Sequence, residues 1–351
     1  MDERVEALKA KLLQATALVK AVMPSPARRT GRSANTEHDY LSLGQLLLHR
    51  AKSHPNGLVG AVADTRRPST FQKRLAALAF TLQKQHLELL DRIIRPVESL
   101  LLDSLIETAE QLLAALTALQ TLRQQGLRGP RARRRSKRQA LSGLPADWRE
   151  QLCLRGRDGR YGAALLVAAL TGCRPAELVT GIRVWRGPNA ASQEAALHIE
   201  VKGAKVKREQ GQPLRRLTYS AEDSHPLLQM LMALAPATPD APLVVQVESA
   251  GNFSAEVQRL AACLWPSHPQ AVTGYCLRHQ WSADAKRNGD ADAVSRGLGH
   301  LSRKTQRVYG TASQGKPAHR LKPLRIETER PVKGTAPEVA PTDPDEPESA
   351  S

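Results

Sequence analysis

The chain has 351 residues, enough for two domains of ordinary size. Its formal net charge is +17 and its pI is near 10.2, a basic excess that favours an anionic partner, with nucleic acid first and a merely soluble basic protein as the bland alternative. Aromatic residues make up only 3%, which argues against base stacking and leaves Arg and Lys contacts to phosphate as the source of affinity. No apolar run is long enough for a bilayer, and Met1-Asp2-Glu3-Arg4 is unlike a secretory leader, so a cytoplasmic, nucleoid-associated protein is expected. The four cysteines form no CxxC pair, and no His, Asp or Glu set has metal-ligand spacing, so neither metal nor cofactor is expected.

Val5, Leu8, Leu12, Ala15, Val19 and Val22 recur at three- and four-residue steps, one stripe of an amphipathic helix that Pro24 ends. An Arg-, Ser- and Pro-rich linker follows, so residues 1–37 read as an N-terminal helix and linker, the helix packing in cis or in trans. Residues 38–127 read as a small helical bundle with almost no strand signal. A helix around Leu41 to Leu48 is broken at Pro55-Asn56-Gly57. A second helix, capped by Ser69 or Thr70, carries Leu75, Leu78 and Leu82. A third begins near Pro96 and ends at Gly126.

Residues 128–144 form a basic interdomain linker. Arg131, Arg133, Arg134, Arg135, Lys137 and Arg138 carry no acidic partner among them and cannot share a core. The segment reads either as a solvated linker or as a strap along phosphates.

From residue 145 to 325 the pattern changes. Gly162 to Leu170 is an apolar helix ending at Thr171-Gly172, and Arg174 follows with Pro175 placed for the first turn of a new helix. Arg174 reads either as a cation reaching a ligand or as a surface cap on the preceding helix. Ala195 to Val201 alternates like a strand, and Leu214 to Tyr219 is its partner. Lys202, Lys205, Lys207 and Arg208 then lie at a hairpin tip, either a solvated face or a means of placing an ammonium at a leaving oxygen. Helices are expected over Leu227–Leu234, Phe253–Trp265, Leu277–Arg287 and Asp290–Leu298. Val244 to Val247 is a short apolar run of undecided type, and Ser302 caps a last turn that ends at Tyr309-Gly310. Residues 326–351, rich in Pro, Glu, Asp and Ser, read as a disordered acidic tail.

Thr171-Gly-Cys-Arg-Pro-Ala-Glu-Leu178, Leu277-Arg-His279 with Asn288-Gly289 beyond it, and Leu298-Gly-His300 with a tyrosine nine residues on stand in that order. Together they resemble the catalytic domain of the tyrosine recombinases, the phage integrase family, over about Asp158 to Gly310. The preceding helical domain resembles that family's core-binding domain in position and character only. The fold implied is mainly α with a small antiparallel β-sheet (α+β), a helical DNA-binding domain followed by the catalytic one. The resemblance implies a site-specific recombinase that cuts and rejoins double-stranded DNA through a 3′-phosphotyrosyl link, as a homo-tetramer, with an accessory DNA-bending protein as a further partner class.

By the same resemblance Tyr309 is the nucleophile, and Arg174 and Arg278 grip the non-bridging oxygens, a task suited to always-charged guanidinium forks. His300 donates to the phosphate. Lys202 is the general acid, with Lys205 as the alternative, and Glu177 orients the Arg174 region. The segment after the nucleophile, Leu321 to Ile326, docks on a neighbouring protomer. One departure stands out: the family's His three residues before the second arginine is here Tyr275, whose unperturbed pKa near 10 makes it a poor base at neutral pH. A recombinase fold that binds DNA without cutting it, and a type IB topoisomerase-like enzyme, are the alternatives.

Overall fold

The computed structural model describes residues 3–23, 32–94, 99–132, 136–189, 191–206, 210–289, 291–316 and 321–333. They fall into two compact units, Met1–Arg134 and Arg135–Ser351. The first is helical. The second is α+β, so the described chain is mainly α with one small antiparallel sheet.

In the first unit, α1 (Glu3–Val22) buries Leu8, Leu12, Ala15, Val19 and Val22 and packs on α5 (Ser99–Gln125), whose Leu105, Ala109 and Leu112 are buried in the same core. The N-terminal helix is therefore a member of the bundle, packed in cis, the alternative that the sequence left open. Helix α2 (Ala34–Ala51) is capped by the Ser33 hydroxyl and packs on α4 (Pro68–Ile94). Their close approach is set by Gly44, where a Cβ would lie 2.0 Å from Thr81 Oγ1. A short helix absent from the sequence reading, α3 (Gly57–Ala63), starts at the expected break.

The second unit begins earlier than residue 145. A 3-10 turn over Lys137–Leu141 buries Ala140 and Leu141, and Leu144 joins the same core. The C-terminal half of the expected linker is thus part of this unit, because three apolar side chains among the cations have a core to enter. Arg133, Arg134, Arg135, Lys207 and Arg208 lie outside the described residues.

The core is built on α6 (Trp148–Gly156), α7 (Gly162–Thr171), α10 (Ala250–Leu264) and α11 (Gly274–Arg287). Leu165 to Thr171 is buried on every side, as an apolar helix with no polar stripe must be. Helices α8 (Pro175–Val179), α9 (Pro226–Leu234) and α12 (Ala291–Gly297) complete the helical layer.

The sheet runs β4-β1-β2-β3-β5, antiparallel throughout, with β1 at Ile182–Pro188, β2 at Ala195–Lys202, β3 at Leu214–Ser220, β4 at Leu243–Val245 and β5 at Arg325–Thr328. The expected hairpin is β2–β3, closed by Gly203 N donating to Pro213 O. Strands β1 and β5 are additions, and β4 settles the undecided apolar run. Strand β5 also corrects the tail: residues 325–328 pair with β3 of the same chain, and Leu321 and Ile326 pack on its core, so this segment is held within its own chain. Residues 334–351 lie outside the described residues.

Candidate functional site

Helix α7 ends at Gly172, whose φ of 58° is the left-handed value that an L side chain resists. The chain then turns into α8 with Arg174 at its N-cap and Pro175 in its first turn. Glu177, fully buried, is the anchor here. It accepts from Arg174 N at 2.7 Å, Arg174 Nη1 at 2.6 Å, and Arg215 Nη2 at 2.7 Å and Nη1 at 3.3 Å. Burial alone would raise this carboxyl, but the Arg215 charge and hydrogen bonds, with Arg278 and Arg174, outweigh it and hold Glu177 down to about 2. Arg174, only 12% exposed at its side chain, is thus fixed from one side. It is held by the following helix rather than capping the preceding one.

Arg278 sits on α11 with no exposed surface. Its Nη1 donates to Gly172 O at 2.7 Å and its Nη2 to Leu298 O at 2.6 Å, so this one guanidinium joins the end of α7 to the end of α12. Nη2 also lies 3.1 Å from His300 Nε2. Burial first, then the nearby Arg174 charge, pulls Arg278 down to about 10, still cationic at neutral pH. His300 is nearly buried, and burial, followed by the charges of Arg278, Arg174 and Arg215, lowers it to about 2, so the ring is neutral. With Nε2 accepting from Arg278, the tautomer consistent with the network carries its proton on Nδ1. That atom, the Nδ1 of His279 and the Nε of Arg278 are buried without a hydrogen-bond partner among the described residues.

The intervening Gly299 has φ 65°, and a Cβ there would meet Arg215 Nη1 at 3.0 Å. Leu298-Gly299-His300 thereby lets Arg215 pass beneath the turn that presents His300. Arg215 was not singled out in the sequence, although the strand period puts it on one face with Leu217 and Tyr219, and all three are buried.

Tyr309 closes the cluster. It follows a 3-10 turn, Arg303–Val308, that the Ser302 hydroxyl caps. Its ring stacks on His300 at 5.3 Å between centroids, lies 5.2 Å from His279, and covers the Arg278 guanidinium at 4.8 Å. His279 is lowered to about 4, by burial first and then by Arg278. Arg174, Arg278, His300 and Tyr309, separated by as many as 135 residues in sequence, therefore occupy one site, with Glu177 and Arg215 behind it.

Among the described residues the remaining candidates are mostly exposed. Lys202, at the end of β2, and Lys205, beyond it, have exposed side chains. Tyr275, in the first turn of α11, is 36% exposed. Arg131 and Lys137 are exposed, whereas Arg138 is half-buried and its charge bears on His279. Among the described residues no group of three or more His, Cys, Asp or Glu could hold a metal, and no helix is long and apolar enough to cross a membrane.

No protein-family model and no curated protein matches the chain. Solved structures similar to it include two complexes. One is XerH site-specific recombinase bound to difH substrate before cleavage, 16% identical over 80% of this chain and 93% of that one, with a TM-score of 0.31. The other is XerH bound to palindromic difH after cleavage, 16% identical over 78% and 92%, with a TM-score of 0.33.

Proposed function

We propose that the protein is a site-specific DNA recombinase with Tyr309 as its nucleophile. The observation that carries this reading is the position of the Tyr309 ring, against His300 and over Arg278, with Arg174 held beside them through Glu177. Two guanidiniums and a neutral imidazole around a phenol suit a phosphodiester better than a carbonyl, because charge must be stabilised on several oxygens at once.

In the proposed step Tyr309 Oη forms a bond to phosphorus as the bond to the 5′-oxygen breaks, and the phenolic proton is released to water. Arg174 and Arg278 stabilise the charge on the non-bridging oxygens, and His300 donates from its unpartnered nitrogen. The leaving 5′-oxygen takes a proton from Lys202 or Lys205, brought in as the hairpin closes on DNA. The phosphotyrosyl link keeps the bond energy for rejoining, so the step is written without metal or nucleotide. Arg131, Lys137 and Arg138, with Arg133, Arg134, Arg135, Lys207 and Arg208, supply phosphate contacts, and a homo-tetramer on two DNA sites is the working assembly.

A second reading, DNA binding without cleavage, draws on Tyr275 in place of the family's His and on the exposed lysines. One experiment separates the two. Nicked duplexes taken from the genome beside the coding sequence are incubated with wild type and with Tyr309→Phe, and a denaturing gel is examined for a protein–DNA adduct. An adduct that needs Tyr309 supports the recombinase. Binding without adduct from either protein supports the second reading, and Tyr275→His then tests whether a base restores cleavage.

A further inference from the structure

Lys286 lies eight residues beyond Arg278 on α11, about 12 Å along the helix axis. Its side chain is half-buried, and its Nζ donates to Gln306 O at 2.8 Å and to Gly310 O at 2.7 Å. These two carbonyls stand three residues before and one residue after Tyr309. Gln306 O also accepts from Tyr309 N at 3.1 Å, so the ammonium meets the chain at the carbonyl that closes the end of the 3-10 turn.

Gly310 gives the contact a second constraint. A Cβ there would lie 2.2 Å from His279 O, so the backbone beyond Tyr309 is pressed onto α11 itself. The same helix holds the residues that follow: Gln280 Nε2 donates to Gln314 O at 3.0 Å, Arg287 Nη1 donates to Gly315 O at 3.1 Å, and Asp284 Oδ1 accepts from Lys316 N at 2.9 Å. Of these side chains only Lys286 reaches both sides of the tyrosine.

We propose that Lys286 is a positioning residue for the tyrosine arm, tying the backbone on both sides of Tyr309 to the helix that carries Arg278. The proposal rests on the reading of Tyr309 as the nucleophile, and it adds what fixes the reach of that phenol. A lysine suits the task because one compact ammonium has three donors and serves two carbonyls, whereas a neutral side chain of the same length serves neither. Burial, followed by the charge of Arg138, lowers Lys286 from the usual lysine value, in keeping with a cation drawn out of water onto these carbonyls.

Three measurements on the full chain test this: single-turnover adduct formation on the nicked duplexes, DNA affinity, and amide hydrogen exchange over residues 305–311 of the free protein. Lys286→Met keeps the linear stem and removes the donors, and Lys286→Arg keeps charge and donors. The expectation for Lys286→Met is an adduct rate roughly ten- to a hundredfold lower, with affinity within about twofold of wild type. Its Tyr309 and Gly310 amides exchange faster, and Lys286→Arg recovers most of the rate. A Lys286→Met rate within about twofold of wild type overturns the proposal. A slow rate with unchanged exchange also overturns it. If wild type itself forms no adduct, the nucleophile reading fails, while the exchange comparison still decides whether Lys286 holds the arm.

Discussion

Glu177→Gln removes the one negative charge between Arg174 and Arg215 and alters the volume little. Glu177 and the Arg215 side chain are both without exposed surface, so the variant leaves Arg215 buried with no full counter-charge. Breaking a buried pair from one side costs about 3–5 kcal/mol. Linkage gives a separate value. A carboxyl held from an ordinary 4.5 down to about 2 contributes roughly 3 kcal/mol.

The sign follows from the direction of the shift. Because the folded value is depressed, this stability is complete above the unfolded pKa and is lost as pH falls through the folded one. About 2 kcal/mol of it is gone by pH 3. The four tryptophans, Trp148, Trp185, Trp265 and Trp281, all lie in the second unit, so their fluorescence reports that unit alone in the full chain. Urea unfolding followed at 295 nm excitation is expected to place Glu177→Gln about 3–5 kcal/mol below wild type at pH 7, the gap narrowing by about 2 kcal/mol at pH 3. A gap under about 1 kcal/mol at pH 7, or one that does not narrow in acid, refutes the assignment of Glu177 as the charged anchor.

Both site histidines are lowered, so in the free protein they stay neutral down to about pH 4 for His279 and lower for His300; a proton NMR titration showing either with an ordinary midpoint near 6.5 contradicts the packed cluster. Gly310→Ala forces a Cβ against His279 O and is expected to destabilise the tyrosine arm by about 1–3 kcal/mol, read as faster amide exchange over residues 305–311; unchanged exchange rejects the close approach. DNA binding led by phosphate contacts is expected to weaken steeply with salt, and Ala at Arg131, Lys137 and Arg138 together is expected to reduce the slope of log K against log salt by up to about 3; a flat response removes the phosphate-led interface.

The parts of the site that were legible in sequence are the local ones. Thr171 to Leu178 is a helix end, an N-cap arginine and a proline first turn, and these signals act within a few residues. Ser302 before the turn to Tyr309 is of the same kind. Arg215 was obscured by its neighbourhood, since a strand beside a lysine-rich hairpin reads as a solvated face until its partner carboxylate, Glu177, is known to be buried. Lys286 offered no signal at all: it is a basic residue in the last turn of a helix, where solvent-facing lysines are common, and its two carbonyls arrive from 20 and 24 residues away. Strand β5 was missed because Arg325 to Thr328 carries one apolar residue, Ile326, and depends on pairing with β3 rather than on its own pattern. The basic stretch at residues 128–144 misled in the opposite sense, because its charges masked Ala140, Leu141 and Leu144.

Strand β5 makes the region around Tyr309 a bridge anchored at both piers rather than a free end. On one side α12 leads into Leu298, whose carbonyl is bonded to Arg278. On the other, β5 zips onto β3 from Thr218 to Arg215, and Gln212 exchanges two hydrogen bonds with the Arg330 backbone. Any rearrangement that lifts the phenol off Arg278 must therefore bend the span between fixed ends. Handing the same segment to another molecule would first unzip an edge strand and expose the rim of β3, a surface that pairs with whatever strand comes next. The sheet thus fixes the far end of the segment that α11 holds beside Tyr309.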